Sequence, residues 1–186
     1  MSETALLIID WQNDYFPSFE GAKCALPNAE NAILKAGELL SAFREKGLSV
    51  VHVQHIFPTE ESSFFVPGTD GTHIHETVTP KEGEPLIVKQ FANSFRDTNL
   101  KEVLDEIGVK NLVIAGAMSN MCIDAGTRAA ADLGYSVSVA EDACAALPTE
   151  FNGVEVPADQ VHAAYMANLG MGYAEIKSTD VIVSSL

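Results

Sequence analysis

The sequence predicts an α/β chain: a three-layer α/β/α doubly wound domain with a mainly parallel six-stranded sheet, a single domain over residues 1–186. Three observations predict it. Short aliphatic runs alternate with longer stretches of helical periodicity, the pattern of parallel βαβ units. Those short runs are nearly all apolar, as strands covered by helices on both faces must be. Gly47, Gly108 and Gly134 each fall just past a helical stretch and before a strand, where a left-handed residue ends a helix at little cost.

The elements follow in order. The run ALLII predicts a strand over 5–9, and the periodic stretch after it a helix over about 28–46. LSVVHVQ predicts a strand over 48–54 and LIV one over 86–88. A helix over 97–106 leads to a strand over 112–115 (LVIA), and a helix over 121–133 to a strand over 135–140 (YSVSVA). A helix over 157–170 and a strand over 174–176 complete the set. The interval 56–85 breaks the rhythm with four prolines, three glycines and three aromatics. A loop of that length in a compact domain usually covers or lines a site.

Composition removes several classes of function. The formal charge is −15 and the eleven basic residues are scattered, so no nucleic-acid partner is expected, because binding a polyphosphate begins with clustered Lys and Arg. The acidic surface also disfavours anionic lipid. The apolar run at 5–9 is too short for a signal core or a span, so the expectation is a soluble, cytoplasmic protein with no membrane partner. Three widely spaced cysteines, Cys24, Cys122 and Cys144, suit a reducing compartment better than a disulfide framework. Net charge identifies no substrate, and the small-molecule substrate expected here is not read from composition.

In open parallel sheets, ligands bind outside the carboxyl ends of the strands where strand order reverses. Asp10 follows the first strand in LLIIDWQND, Lys89 follows the third in LIVKQF, and AMSNMC follows the fourth. An acid, an amine and a thiol thus stand at ends that the fold can bring together. With Ser119 and Asn120 as N-cap residues, Cys122 is expected in the first turn of the 121–133 helix, where the dipole favours a thiolate. Taken alone, a cysteine is more often a small buried apolar residue than a nucleophile, and Cys144, also past a strand, is its rival. The bland roles of Asp10 and Lys89 are a turn cap and a solvated strand end. An Asp behind a wholly apolar run meets the interior, however, where it needs a partner such as Lys89.

Together these residues resemble the isochorismatase-like, or cysteine hydrolase, family, which includes nicotinamidases, N-carbamoylsarcosine amidase and isochorismatase. The resemblance runs through ALLIIDWQNDY, PGTDGTHIH, LIVKQFANSF with Thr98 and Leu100, NLVIAGAMSNMCID and GYSVSVAEDACA. It implies a catalytic set of Asp10, Lys89 and Cys122 that cleaves a C–N bond in a small amide, ureido or N-carbamoyl compound through a thioester. It also implies a cis peptide at Ala117-Met118 that aims the backbone N–H groups of Met118 and Cys122 at the oxyanion, and a homodimer or homotetramer.

The resemblance implies neither a cofactor nor a metal, because His55 and Phe57 stand where nicotinamidases carry a metal-binding Asp and His. The cysteine favours C–N cleavage over the vinyl-ether cleavage of isochorismatases, which often lack it. Asn93 stands where many relatives have Ser, a change in pocket polarity. Phe16, Phe57, Phe65, Phe91 and Phe95 are candidates for an apolar pocket wall, with core packing the equal alternative. His52 and His55, three apart on a strand, point to opposite faces. His73 and His75 form an HxH pair that could bind zinc, although a structural role is more usual for His75 in that family loop. A metal-dependent hydrolase built on Asp10 with His52 or the His73/His75 pair, an isochorismatase-type enzyme and an inactive binding or assembly module remain as alternatives.

Overall fold

In the computed structural model, which describes residues 3–186, the first strand β1 (Thr4–Ile9) has every residue from Ala5 onward buried. Its alternate side chains serve two cores, as a period of two requires. Leu6 and Ile8 pack with the apolar stripe of α1 (Ala29–Glu45), including Ala36, Leu39 and Phe43. Ala5, Leu7 and Ile9 pack on the opposite face with Leu100 and Leu104 of α2 (Leu100–Ile107), Ala130 of α3 (Asp124–Asp132), and Met166 and Leu169 of α4 (Ala158–Gly170). The sheet is covered on both sides, so its strands read as continuous apolar runs.

Five more strands complete the sheet: β2 (Ser49–His55), β3 (Leu86–Lys89), β4 (Asn111–Ala117), β5 (Ser136–Ala145) and, after a separate hairpin of β6 (Thr149–Phe151) and β7 (Val154–Val156), β8 (Glu175–Lys177). The order is β3-β2-β1-β4-β5-β8 and every pair in it is parallel. From β1 the chain moves outward to β3, then returns to place β4 on the other side of β1. The loops leaving β1 and β4 therefore part in opposite directions and open a crevice at their carboxyl ends. Gly116 sets how closely those two strands approach. Its φ is +147°, and a Cβ there would stand 2.1 Å from the Ile9 carbonyl oxygen, so no larger residue fits.

The predicted elements recur with shifts of a few residues, and four features differ. The strand expected over 135–140 continues to Ala145 and carries Cys144 within it. The helix expected from 97 starts at Leu100. The hairpin and a final helix, α5 (Thr179–Ser185), are additional. The expected 121–133 helix begins instead with a π turn, Ser119–Ile123, closed by the Ile123 N–H on the Met118 carbonyl at 3.1 Å, and only then becomes α3. The interval 56–85 contributes two single 3₁₀ turns and a short bridge between Gln12 and Ile74, which seats it against the segment that follows β1. Among the described residues, no helix is long and apolar enough to cross a membrane.

Candidate active site

Asp10 leaves β1 in a left-handed conformation, φ +57°, which Asp tolerates better than most residues. This turns the carboxylate off the strand end, and the residue is fully buried. Lys89, the last residue of β3, places its Nζ 2.8 Å from Asp10 Oδ2 and 3.1 Å from the Ala92 carbonyl. Neither side chain of the pair meets solvent. Apart from that ammonium, neither carboxylate oxygen of Asp10 has a hydrogen-bond partner among the described residues.

Cys122 joins the pair from the π turn, and its Sγ lies within 4.8 Å of an Asp10 carboxylate oxygen and of a His55 ring nitrogen. The peptide between Ala117 and Met118 is cis, and the Met118 carbonyl accepts the N–H groups of Met121 and Ile123. The turn is tied down by Ser119, whose buried hydroxyl donates to the Ala145 carbonyl at 3.1 Å and lies 2.8 Å from His162 Nδ1 on α4. This corrects the expected local structure: Ser119 and Asn120 do not cap a helix at Cys122, because the hydroxyl that would cap is committed to β5 and α4. Cys144 sits in β5 opposite Gly116, buried, with its thiol pushed up to about 12 chiefly by that burial.

The electrostatics of Cys122 also differ from the expected thiolate. Burial pushes its thiol well up, the Asp10 carboxylate adds to the rise, and the Lys89 ammonium opposes it without cancelling it. Burial pulls Lys89 down, but Asp10 and Cys122 outweigh it, so the amine stays charged. At rest the cluster is therefore a neutral thiol beside an ion pair. Because a thiol with a raised pKa yields thiolate only as the solution becomes alkaline, Cys122 is expected to alkylate slowly with iodoacetamide at neutral pH and faster at high pH. Rapid labelling of Cys122 at neutral pH, read by peptide mass spectrometry, would overturn this picture.

His55 is the residue that the sequence reading treated only as a missing metal ligand. It ends β2, the same strand-end position that singled out Asp10 and Lys89, and its Nδ1 is 3.9 Å from Asp10 Oδ2. Gln12 holds it there. The buried Gln12 carboxamide accepts the His55 N–H at 2.7 Å and donates to the His55 carbonyl and to the Thr72 carbonyl, each at 2.8 Å. The signal for Gln12 was its place two residues past Asp10.

The aromatic candidates divide. Phe57 and Phe65 surround the His55 ring, with centroids at 4.3 and 5.9 Å. The Phe65 N–H is fixed by the buried Asp14 carboxylate at 2.7 Å. Phe91 lies under the Arg96 guanidinium at 3.7 Å, and Phe95 stacks on Tyr135 in the core on the α2 side. Phe16 is buried between Trp11 and His75. Asn93 uses its Oδ1 to accept the Phe95 N–H at 2.9 Å, which closes its own turn.

The other histidines serve the scaffold. The His52 Nε2 lies 2.9 Å from Glu84, whose carboxylate also takes two bonds of 2.7 Å from Arg44 and one of 2.8 Å from the Lys81 N–H. Burial pushes Glu84 up, but Arg44, Lys81 and His52 outweigh it and hold the carboxyl at about 2, against an ordinary 4.5. The folded pKa is depressed, so this cluster stabilises the fold fully above pH 4.5 and progressively less as the pH falls towards 2. Glu84→Gln is expected to lower Tm at neutral pH and to flatten its fall over that acid window, measured by circular dichroism; an unchanged acid slope would refute it. His73 is exposed beside Asp70, and His75 accepts the Thr77 N–H at 3.3 Å, so the HxH pair does not converge. Asp10, His55 and Cys122 are spaced like a metal-ligand set. Any cation there would face the Lys89 ammonium already paired with Asp10.

Comparison with known proteins bears on family and fold. Residues 4–161 match the Isochorismatase domain model. The chain is 49% identical over 180 residues to YddQ of Bacillus subtilis, an uncharacterized isochorismatase family protein, covering 97% of this chain and 98% of that one. It is 33% identical over 139 residues to a streptothricin hydrolase of Streptomyces noursei, covering 75% of this chain and 53% of the relative. A crystal structure from Oleispira antarctica, assigned to the isochorismatase hydrolases, superposes with a TM-score of 0.95 at 55% identity and covers 97% of this chain and 96% of its own. With a doubly wound parallel sheet and an acid, an amine and a thiol gathered at its switch point, the chain belongs to the isochorismatase family of hydrolases.

Proposed function

We propose that the protein is a cysteine-dependent hydrolase of C–N bonds in small amide, ureido or N-carbamoyl compounds. The observation that carries this reading is the buried contact of Lys89 Nζ with Asp10 Oδ2 at 2.8 Å, beside the Cys122 thiol. A neutral thiol is a weak nucleophile and needs a base in contact with it. Asp10 is that base: positioned by its contact with Lys89, it takes the Sγ proton as sulfur attacks the substrate carbonyl carbon. The negative charge that develops on the carbonyl oxygen falls to the backbone N–H groups of Met118 and Cys122, and a donor in such a position is worth about 10²–10³ in rate.

The tetrahedral adduct collapses by breaking the C–N bond, the nitrogen leaving with the proton that Asp10 took. The acyl group stays on Sγ as a thioester. Water then attacks the thioester carbon with Asp10 again as base, and the carboxylic acid departs as the thiol is restored. Lys89, 2.8 Å from Asp10 Oδ2, holds that carboxyl group in place through both halves of the cycle. No step needs a metal or an organic cofactor. Streptothricin hydrolase, a relative whose name records a hydrolysis, is in keeping with this chemistry.

The test is a panel of primary amides, N-carbamoyl compounds and isochorismate, assayed for product acid, ammonia or pyruvate with wild-type protein and with Cys122→Ala in parallel. Turnover of an amide or carbamoyl compound that requires Cys122 supports the reading. Turnover of isochorismate alone, or of amides without Cys122, overturns it.

A further inference from the structure

We propose that His55 is the residue that makes the site specific for a carbonyl bearing an N–H group: its free ring nitrogen accepts a hydrogen bond from the nitrogen of the bond to be broken. The inference rests on the hydrolase reading above and names the substrate class for that site as N–H amides, ureas and carbamoyl compounds, as against esters and N,N-dialkylated amides.

Three independent features lead to it. The first is an unspent polar atom. The His55 side chain is 6% exposed, yet Nε2 has no hydrogen-bond partner among the described residues. A buried nitrogen left unpaired carries a desolvation cost with nothing to offset it, so a protein that keeps one in its active site gains by pairing it with a ligand.

The second feature is placement. His55 Nδ1 lies 3.9 Å from Asp10 Oδ2, and one nitrogen of the ring lies within 4.8 Å of the Cys122 Sγ, so the imidazole borders the space in which a carbonyl group in contact with sulfur would sit. That placement is fixed from behind. Gln12 grips both the N–H and the carbonyl of the His55 peptide, and Phe57 and Phe65 pack against the ring, so neither backbone nor ring is free to seek another partner.

The third feature is polarity. Burial lowers the His55 pKa, Asp10 opposes the fall, Lys89 adds to it and the Gln90 backbone opposes it again, with the fall prevailing, so the ring is neutral at neutral pH with one donor and one acceptor nitrogen. The Asp10 carboxylate, 3.9 Å from Nδ1, favours the proton on that side. Nε2 is then a bare acceptor, which an amide N–H satisfies and an ester oxygen, itself an acceptor, does not. A site built around one such bond rejects the analogue that lacks it far better than a site built on shape alone.

The experiment compares kcat/KM for the best amide of the panel and for its methyl ester, with wild type, His55→Phe and His55→Gln. His55→Phe keeps a flat ring for Phe57 and Phe65 to pack on but has no nitrogen; His55→Gln restores an acceptor. The expected result is a roughly 10–100-fold loss on the amide with His55→Phe, little change on the ester, and partial recovery of the amide with His55→Gln. Equal losses on amide and ester mean that His55 only supports the fold, and no loss on either means that it does not meet substrate; both outcomes overturn the proposal. A melting temperature for each variant separates these results from unfolding. Because ester turnover still requires Cys122, its loss in Cys122→Ala with no amide-to-ester change in His55→Phe leaves the hydrolase reading standing while this one falls. Absence of turnover of every amide and ester overturns both.

Discussion

Cys122→Ala is expected to lower kcat/KM by at least about 10⁴-fold, while Cys144→Ala and Cys24→Ala stay within a few-fold of wild type. The size of the loss follows from what the thiol shares. In the proposed mechanism Sγ, Asp10 and Lys89 act as a unit, so removing the nucleophile would idle the base and the ammonium as well, leaving only substrate binding and the proposed oxyanion donors. The contrast with the other thiols is geometric. Cys144 is buried in β5 against Gly116, and Cys24, half-buried, is held up at about 11 by burial and by Asp14; neither belongs to the cluster that Cys122 forms with Asp10 and His55. Asp10→Asn is expected to cost nearly as much, because an amide cannot take the thiol proton. The measurement is steady-state kinetics on the best amide or carbamoyl substrate, with each variant's folding checked by circular dichroism. Retention of activity in Cys122→Ala, or its loss in Cys144→Ala, would remove the nucleophile from its assigned place.

Lys89→Met is expected to destabilise the fold by roughly 3–5 kcal/mol, and Lys89→Met combined with Asp10→Asn to recover most of that loss. The two charges lie 2.8 Å apart with no solvent on either side chain, so each pays its desolvation only because the other is present. Removing the amine leaves a buried carboxylate with no other hydrogen-bond partner among the described residues, whereas neutralising both removes the charge that needed company. Urea unfolding of wild type, Lys89→Met, Asp10→Asn and the double variant at neutral pH gives the four free energies and hence the coupling. A single variant as stable as wild type, or a double variant whose loss is the sum of its parts, would show that the pair is not coupled. The double variant is also expected to be catalytically dead while well folded, which separates the pair's structural role from its chemical one.

Local signals that went unread explain part of what the sequence reading missed. Asn152-Gly153 between Phe151 and Val154 is a strong signature of a two-residue hairpin, and φ of +51° and +78° at those positions shows the turn that it builds. The helix α5 had no such signal. TDVIVSS is rich in β-branched residues that favour strands, and it becomes helical because Ser178 caps the Val181 N–H while Asp142 of β5 takes the Thr179 N–H and hydroxyl, each at 2.7 Å. A cap supplied from another strand is invisible to any local window.

The sheet, its helical layers and the strand-end positions of Asp10, Lys89 and Cys122 were set by local pattern, because apolar runs, helix periodicity and terminal glycines act over a few residues. Everything that depends on distant partners was decided by the tertiary structure. The π turn at Cys122 follows from Ser119 being drawn to Ala145 and His162. The protonated resting thiol follows from burial, which outweighs the neighbouring ammonium. The place of His55 in the site follows from Gln12, forty-three residues earlier in the chain. Residue types and spacing supply the chemical groups; which of them are buried together, and therefore which are charged, is a property of the packed whole.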